Sequence, residues 1–279
     1  MDREVVFFVL GTVTLGPLLL LAGVQRAGEV KASSGCGLER VCWCRLWRPL
    51  LPSAIVFSAL VGWALVEPED AERLPFPLIA IGAPFAFVWI RAIVRALWGL
   101  RRARPTTAAT VGVFRPHVVI APAFWRSLDD SSRHAVRAHE DAHVRYRDPM
   151  RVWAARLATD LQWGRHATHR FAEWRHALEL ARDEAVRREG VDGADLAAAV
   201  IAALQFCPVN ASPAVSIAGD RHGVCDRITR LLAPLPATYD EPAWSHAWRA
   251  STIAAPIGAV MFGASFGEAI VRALVHTIR

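Results

Sequence analysis

The residues HEDAH, from His139 to His143, have the types and the spacing of a zinc site. Two histidines four positions apart on a helix project from one face, about one turn apart, and can bind a single ion. Glu140 follows the first histidine directly, where its carboxylate can reach a water molecule on the metal. Zinc lowers the pKa of such a water to about 7, and a glutamate can take its proton and pass it to a leaving amine. The pattern therefore predicts zinc-dependent hydrolysis of a peptide bond, with Glu140 as the base.

The alternative for this segment is a solvated, charged helix. Arg137, Asp141 and Arg145 follow one another at four-residue intervals, as ion-paired residues do on an exposed helical face. The opposite stripe carries both histidines together with Val136 and Tyr146, so we expect the two imidazoles to face the interior. A buried pair of histidines needs a partner, and a metal ion supplies one for both rings.

A catalytic zinc ion usually takes a third protein ligand, and the helical stretch 176–188 offers one. Glu179 and Asp183 are four residues apart, so the first carboxylate can bind the metal while the second orients a ligand histidine through its ring N–H. The alternative is an exposed acidic helix with interspersed arginines. Those arginines are Arg175, Arg182 and Arg187. Together with HEDAH, the spacing favours the metal site.

A small sheet and a capped helix must position these side chains. Two short β-rich runs, Val111–Phe114 and His117–Ile120, flank an Arg-Pro break and predict a small hairpin or a pair of edge strands. Residues that favour a helix N-terminus then precede the helix that carries HEDAH. They are Asp129, Asp130 and Ser131.

Four long apolar runs contribute much of the chain's 53% hydrophobic content. They lie at 5–24, 50–66, 76–97 and 251–275, and each is close to the roughly 20 residues that a helix needs to cross a bilayer. The fourth contains Glu268 and Arg272, which can pair four residues apart; a buried amphipathic helix is the alternative there. A cleaved signal peptide is the alternative for the first run, but its leader MDRE is not net positive.

Basic residues beside these runs predict their orientation. The loop after the first run is basic, the loop at 67–73 is acidic, and the third run ends in RALWGLRRAR. Because basic loops face the cytoplasm, we expect a multi-pass protein of a bacterial inner membrane with the N-terminus outside. The net charge of +6 is then a matter of topology, and no direct nucleic-acid binding is expected. The five cysteines are interpreted as ordinary buried or lipid-facing thiols; they are Cys36, Cys42, Cys44, Cys207 and Cys225.

The predicted fold is therefore mainly α. A membrane region with three spans covers residues 1–100, a cytoplasmic domain with the metal site covers 101–250, and a fourth span with a short tail covers 251–279. The inserted domain is expected to be α+β, with a small edge sheet beside the HEDAH helix. The Pro-rich segment at 233–244 is interpreted as a linker into the fourth span.

With both motifs in view, the chain resembles the BlaR/MecR family of integral-membrane zinc metallopeptidases, which are gluzincins. The resemblance covers roughly residues 50–279 and rests on VFRPHVVIAPAFWRSL, HAVRAHEDAHVRYRDP, ELARDEAV and DRITRLL, followed by the last apolar run. It implies a cytoplasmic catalytic domain between the third and fourth spans and a substrate peptide that pairs with the strand His117–Ile120. It also implies a role for each motif residue: His139, His143 and Glu179 as zinc ligands, Glu140 as base and Asp183 as the partner of a ligand.

The chain departs from the family pattern in two respects. Asp141 is charged where a small or apolar residue is commoner. The chain also ends a few residues after the fourth run, so we expect no extracellular penicillin-binding sensor domain and no drug-sensing role. The pair Asp148-Pro149 matches the family, where we expect it to end the helix rather than to take part in the chemistry.

Other polar residues remain open to two interpretations. His222 and Tyr146 are candidates for stabilising an oxyanion, since HtpX-like membrane peptidases place a histidine shortly before a comparable RI segment; a surface histidine is the alternative for His222. His176 is a rival third ligand, three residues before Glu179. His166 and His169 could bind metal by spacing, but they are equally consistent with a polar helix near lipid.

The leading functional hypothesis is a membrane-embedded zinc endopeptidase that cleaves a cytoplasmic or membrane-proximal protein. In the resembled family that substrate is a transcriptional repressor in a signalling pathway. An HtpX-like quality-control peptidase and a catalytically inactive membrane scaffold are the alternatives. The expected cofactor is Zn²⁺, and the expected partners are a protein substrate and the lipid bilayer; the oligomeric state is left open.

Overall fold

The computed structural model describes residues 3–26, 34–66, 76–99, 105–206, 221–236 and 243–278. These residues are mostly helical and include one two-stranded sheet. The acidic loop at 67–73 and Cys207 lie outside the described residues, as does the middle half of the predicted linker at 233–244, residues 237–242.

Four helices are long and apolar enough to cross a membrane, as the sequence predicts. Among the described residues the candidate spans are Val5–Val24 in α1 (Arg3–Val24), the continuous helical stretch Gly35–Val66, which ends with α3 (Leu51–Val66), Ile79–Gly99 in α4 (Phe76–Gly99) and Ala254–Ala273 in α11 (Ala243–Ile278). In α11 the carboxylate of Glu268 and the guanidinium of Arg272 form the predicted ion pair. Helix α11 lies against α3 at very short range, because a Cβ on Gly263 would stand only 1.8 Å from the carbonyl oxygen of Ala59.

Residues 35–47, which lie between the first two apolar runs, are helical where the sequence indicates a loop. Helix α2 (Gly35–Trp47) begins at Ser34, whose side chain accepts a hydrogen bond from the Gly37 amide, and it continues through a short 3-10 turn into α3. Cys42 is buried in α2, Cys36 and Cys44 are half-buried, and the described cysteines are free thiols.

The described residues between α4 and α11, which are 105–206 and 221–236, form a hairpin and six further helices. The strands are β1 (Ala108–Val111) and β2 (His117–Ile120), and the helices are α5 (Pro122–Ser127), α6 (Asp130–Arg145), α7 (Asp148–Gln162), α8 (Arg165–Arg188), α9 (Gly193–Gln205) and α10 (Arg221–Leu232). The strands are antiparallel, with Ala108 opposite Ile120 and Val111 opposite His117. The hairpin prediction is confirmed, but its first strand begins three residues earlier than predicted. Gly112, at φ +94°, starts the turn, so the residues after Val111 leave the sheet.

Two apolar clusters hold these elements together. One joins α5, α6, α9 and α10 around Phe124, Val136 and Val200. The other joins α2 to α7 and α8 around Leu46, Trp174 and Leu178. Burial of such side chains contributes about 1.5–3 kcal/mol each.

The candidate spans contact the other helices through polar groups at their ends. The guanidinium of Arg170 on α8 donates to the carbonyl oxygens of Ala22 and Gln25, which lie at the C-terminal end of α1. A cation there satisfies carbonyls that a helix end leaves without intrahelical partners. The indole N–H of Trp153 on α7 likewise donates to the carbonyl oxygen of Ala96, 2.9 Å away near the C-terminal end of α4.

Candidate metal centre

Helix α6 brings His139 and His143 together. The Asp129 carboxylate accepts a 2.9 Å hydrogen bond from the Ser132 amide, which caps the helix at the position that the sequence predicts. Both imidazoles are buried, with 2% and 6% of each residue exposed, and their Nε2 atoms lie 3.1 Å apart. The predicted inward face of the helix is therefore confirmed for the two histidines.

Helix α8 adds the carboxylate of Glu179 to this pair. Its Oε2 atom lies 3.4 Å from Nε2 of His139 and 3.7 Å from Nε2 of His143. The ligand atoms of the three residues all lie within 4.8 Å of one another, so the group could hold a metal ion. Of the histidines and carboxylates that the sequence suggests as metal ligands, these three form the group.

The second ring nitrogen of each histidine faces another carboxylate. Nδ1 of His139 lies 3.0 Å from Oδ1 of Asp183, the partner that its position one turn after Glu179 predicts. Nδ1 of His143 makes a 2.8 Å hydrogen bond with Oδ2 of Asp148. Asp148 is 2% exposed and is the first residue of α7. The sequence predicted only that it ends the preceding helix, whereas in the structure it also contacts a candidate metal ligand. Such contacts fix the orientation of a metal-binding imidazole.

Two buried arginines hold these outer carboxylates. Arg182 donates from Nε and Nη2 to Asp148, at 2.5 and 2.8 Å, and its guanidinium lies 3.9 Å from the centre of the Tyr146 ring. Arg227 donates from Nε and Nη2 to the two oxygens of Asp183, both at 2.8 Å. The sequence offered Arg182 only as part of an exposed helix and did not single out Arg227. A guanidinium that donates two parallel hydrogen bonds to one carboxylate forms one of the strongest types of hydrogen-bonded pair in proteins.

Glu140 is buried beside the hairpin, with 2% of the residue exposed. The hydroxyl of Thr110 on β1 lies 2.8 Å from Glu140 Oε2 and 3.0 Å from the Glu140 carbonyl oxygen. A hydroxyl carries one proton, so it donates to one of these acceptors at a time. The strand thereby restrains the side chain that the sequence nominates as the base. The backbone of α6 places that side chain directly after His139.

The opposing charges of the centre shift the pKa values of its members. Burial acts to lower the pKa of His143, but the nearby Glu179 and the hydrogen bond to Asp148 outweigh it and raise that pKa to about 10. Burial is likewise outweighed at His139, whose pKa is raised by Asp183 and Glu179. Burial acts to raise the pKa of Glu179, yet the two histidines hold it well below its ordinary value. Because the pKa of His143 is about 10, a metal ion must displace a proton from this ring in order to bind at neutral pH.

The remaining nominated residues stand apart from the cluster. The Nε2 atom of His176 contacts Asp226 Oδ2 at 2.8 Å, and His169 faces Glu173 on the exposed side of α8. Neither these two histidines nor His166 belongs to the group that could hold a metal. Tyr146 is 48% exposed and stacks on Arg182. His222 lies in α10, but its side chain is outside the described residues.

Comparison of the chain with protein-family models, with curated proteins and with solved structures finds no match.

Proposed function

We propose that the protein is a membrane-embedded zinc endopeptidase. One observation carries the proposal: the three ligand atoms of His139, His143 and Glu179 stand 3.1, 3.4 and 3.7 Å apart, with Glu140 next in the chain to the first ligand. Four ligands at zinc's usual bond lengths stand about 3.3 Å from one another in a tetrahedron. The separations match one triangular face of that tetrahedron.

The chemistry of the donor set also fits zinc. Two imidazoles and one carboxylate form a usual ligand set of catalytic zinc, which keeps its fourth position open. Carboxylates on the far side of both rings, Asp183 and Asp148, favour the tautomer that presents Nε2 to the metal. A structural zinc site would more commonly use cysteines and close all four positions.

Each side chain then has a stated part in hydrolysis. A zinc ion held by the three ligands supplies water activation and polarisation of the scissile carbonyl. The carboxylate of Glu140 acts first as a general base, which receives the proton of the attacking water, and then as a general acid, which transfers that proton to the departing amine. The Thr110 hydroxyl limits the rotation of that carboxylate. An extended substrate peptide would pair with the hairpin, at the strand His117–Ile120.

The arrangement of the apolar helices supports a membrane location for this chemistry. The C-terminal ends of α1 and α4 both contact the helices around the metal centre, through Arg170 and Trp153. The N-terminal end of α1 is therefore the end that lies farther from the metal centre. This arrangement supports a topology in which the N-terminus and the centre lie on opposite sides of the bilayer. The basic residues beside the apolar runs favour the cytoplasm as the side of the centre. A cytoplasmic or membrane-proximal protein is then the substrate, and the resemblance to the BlaR/MecR family suggests a repressor.

Replacing Glu140 with Gln tests the proposal. The variant keeps the metal ligands, so we expect purified full-length protein to retain zinc at the wild-type level while substrate cleavage is lost. Comparing the cytoplasmic proteins of cells that carry the wild type or Glu140→Gln should reveal a protein whose cleavage products are present only with the wild type. Asp141→Asn is a matched control. Asp141 is the next residue in the chain, but it is exposed and forms an ion pair with Arg137 on the surface of α6.

The outcomes also separate the alternatives. Products from one dedicated substrate support the signalling peptidase, whereas products from many damaged membrane proteins support an HtpX-like quality-control peptidase. Bound zinc with identical products in both strains would contradict Glu140 as the base. Zinc in neither the wild type nor His143→Ala, with an unchanged cellular phenotype, would instead support an inactive scaffold.

A further inference from the structure

Helix α2, which leads into the second candidate span, packs directly on the helix that carries Glu179. The amide of Gly35 donates a 2.5 Å hydrogen bond to Oε2 of Glu184, the residue after Asp183 on α8. A Cβ on Gly35 would stand 2.6 Å from the carbonyl oxygen of Leu180, so only glycine permits this approach. Further along, Cys42 and Leu46 join the apolar cluster around Trp174. Any displacement of α2 therefore disturbs α8.

Glu39 is a charged residue of α2 within this contact. Its Oε1 atom accepts a 3.0 Å hydrogen bond from the indole N–H of Trp174 and forms an ion pair with Nη2 of Arg151 on α7. The Arg151 guanidinium lies 4.7 Å from the centre of the Trp43 ring and 5.7 Å from that of Trp174. Aromatic faces attract cations at such distances, so α2 holds Arg151 through both charge and aromatic contact.

The other end of the same guanidinium reaches the metal centre. Nη1 of Arg151 donates to Oδ1 of Asp148 at 3.3 Å, and Oδ2 of Asp148 contacts Nδ1 of His143 at 2.8 Å. Glu39, Arg151, Asp148 and His143 thus form a continuous chain of polar contacts. Asp148 also accepts a hydrogen bond from Arg182 on α8. Two arginines therefore restrain this carboxylate: Arg182, which belongs to α8, and Arg151, which α2 holds through Glu39.

We propose that Glu39 is a positioning residue for the metal centre, which acts through Arg151 and Asp148 on the imidazole of His143. A movement of α2 on α8 would then change the affinity of the centre for zinc, and a signal could reach the centre from the second candidate span. The proposal rests on the zinc function proposed above and describes the regulation of that same site. Residues that orient a ligand histidine typically change metal affinity by about 10–100-fold, and Glu39, which is two contacts further out than Asp148, should do less.

Zinc affinity of the full-length protein in detergent, measured by competition with a chromogenic chelator, provides the test. We expect Glu39→Gln to weaken zinc binding about three- to tenfold, and Glu39→Asp, which keeps the charge, to recover part of that loss. Glu189→Gln is the matched control, because it removes one exposed ion pair, with Arg145, away from the centre. The visible absorption bands of the Co²⁺-substituted protein should shift in Glu39→Gln and stay unchanged in the control.

A double-mutant cycle separates positioning from general stability. If Glu39 acts through Asp148, Glu39→Gln should have little further effect on zinc affinity in an Asp148→Asn background. Equal effects in both backgrounds, or an unchanged affinity in Glu39→Gln, would overturn the inference while leaving the zinc function in place. A wild-type protein that binds no zinc would overturn both, so the two failures are distinguishable.

Discussion

Arg227 on α10 clamps both carboxylate oxygens of Asp183 on α8, with two donated hydrogen bonds of 2.8 Å across 44 residues of chain. Its third nitrogen, Nη1, lies 3.3 Å from Oε2 of Glu179. Burial would raise the pKa of Asp183, but Arg227 and His139 outweigh it and hold that pKa at about 2. The guanidinium of Arg227 is therefore the main counter-charge of Asp183, and it adds to the effect of the two histidines on Glu179. An ionised carboxylate is the form that binds a metal ion or orients its histidine.

Removing this cation should destabilise the protein and its metal centre together. Replacing Arg227 with Gln leaves the buried carboxylate of Asp183 without its main counter-charge, and breaking a buried ion pair in this way typically costs about 3–5 kcal/mol. We expect a lower Tm in detergent and weaker zinc binding, and Arg227→Lys should recover only part of either because an ammonium lacks the planar fork. The control is Arg230→Gln, since Arg230 pairs with Asp226 at the partly exposed surface of the same helix. Equal Tm values for the two Gln variants would contradict this account.

Thr110 should affect turnover without affecting metal content. Thr110→Val removes the hydroxyl that contacts Glu140 Oε2 but keeps the side-chain shape, so the carboxylate gains freedom to rotate. A hydrogen bond to a charged group contributes about 1.5–3 kcal/mol, which corresponds to a kcat that is lower by about ten- to a hundredfold. Thr110→Ser keeps the hydroxyl and should stay near the wild type. Kinetic assay together with zinc analysis provides the check, and zinc loss in Thr110→Val would point to a folding defect instead.

The metal-free protein should lose stability on both sides of a mildly acidic range. The pKa of His143 is about 10 in the folded state and about 6.5 in an unfolded chain, so its contribution is complete below about pH 6.5 and is lost as pH rises towards 10. The pKa of Asp183 is about 2 when folded and about 3.9 when unfolded, so its contribution is present above about pH 4 and is lost as pH falls towards 2.

Thermal unfolding of chelator-treated protein across pH should show these two losses. Zinc affinity should change in the opposite sense above neutrality, rising with pH between about 6.5 and 10 because protons compete with the metal for His143. A metal-free Tm that climbs between pH 7 and 10 would exclude this charge arrangement. A surface variant, Glu189→Gln, should reproduce the wild-type profile.

The contact between α3 and α11 should tolerate no side chain at Gly263. A Cβ there would stand 1.8 Å from the Ala59 carbonyl oxygen, whereas one on Gly258 would meet nothing within 4 Å. Gly263→Ala must therefore push the two helices apart, and overpacking of this kind typically costs about 1–3 kcal/mol. We expect faster proteolysis of Gly263→Ala than of Gly258→Ala in detergent. Indistinguishable digestion rates would mean that the two helices do not meet at Gly263.

Helical periodicity explains how much of the candidate centre the sequence could provide. His139 and His143 share one face of α6, and Glu179 and Asp183 share one face of α8, because four residues make about one turn. The residues that surround these ligands, Asp148, Arg182 and Arg227, could not be predicted in the same way, because their contacts depend on how separate helices pack. Asp148 reaches His143 only because α7 starts immediately after α6, with Arg147 at φ 52° in the turn between them. No local pattern marks that geometry.

Tertiary contact also explains the two elements that the sequence misplaced. Helix α2 was predicted as a basic loop because its residues GCGLERVCWCRLW show little amphipathic pattern; its apolar partner is α8, more than a hundred residues away. Most helical stability in proteins comes from such packing and not from propensity. Similarly, the β-rich run Val111–Phe114 lost its last three residues to the turn, while the buried Ala108 and Ala109 joined the strand beside α6.

The uninterrupted helical course from Gly35 to Val66 has a mechanical consequence. Its 32 residues extend about 48 Å at 1.5 Å per residue, whereas the hydrocarbon core of a bilayer is only about 30 Å thick. About a third of this rod must therefore project beyond the hydrocarbon, and the 13 residues of α2 are that part. A helix adjusts to a thinner or thicker bilayer by tilting. In a chain that crosses the bilayer at this candidate span, the thickness of the surrounding lipid would act on one end of a helical stretch whose other end lies on α8.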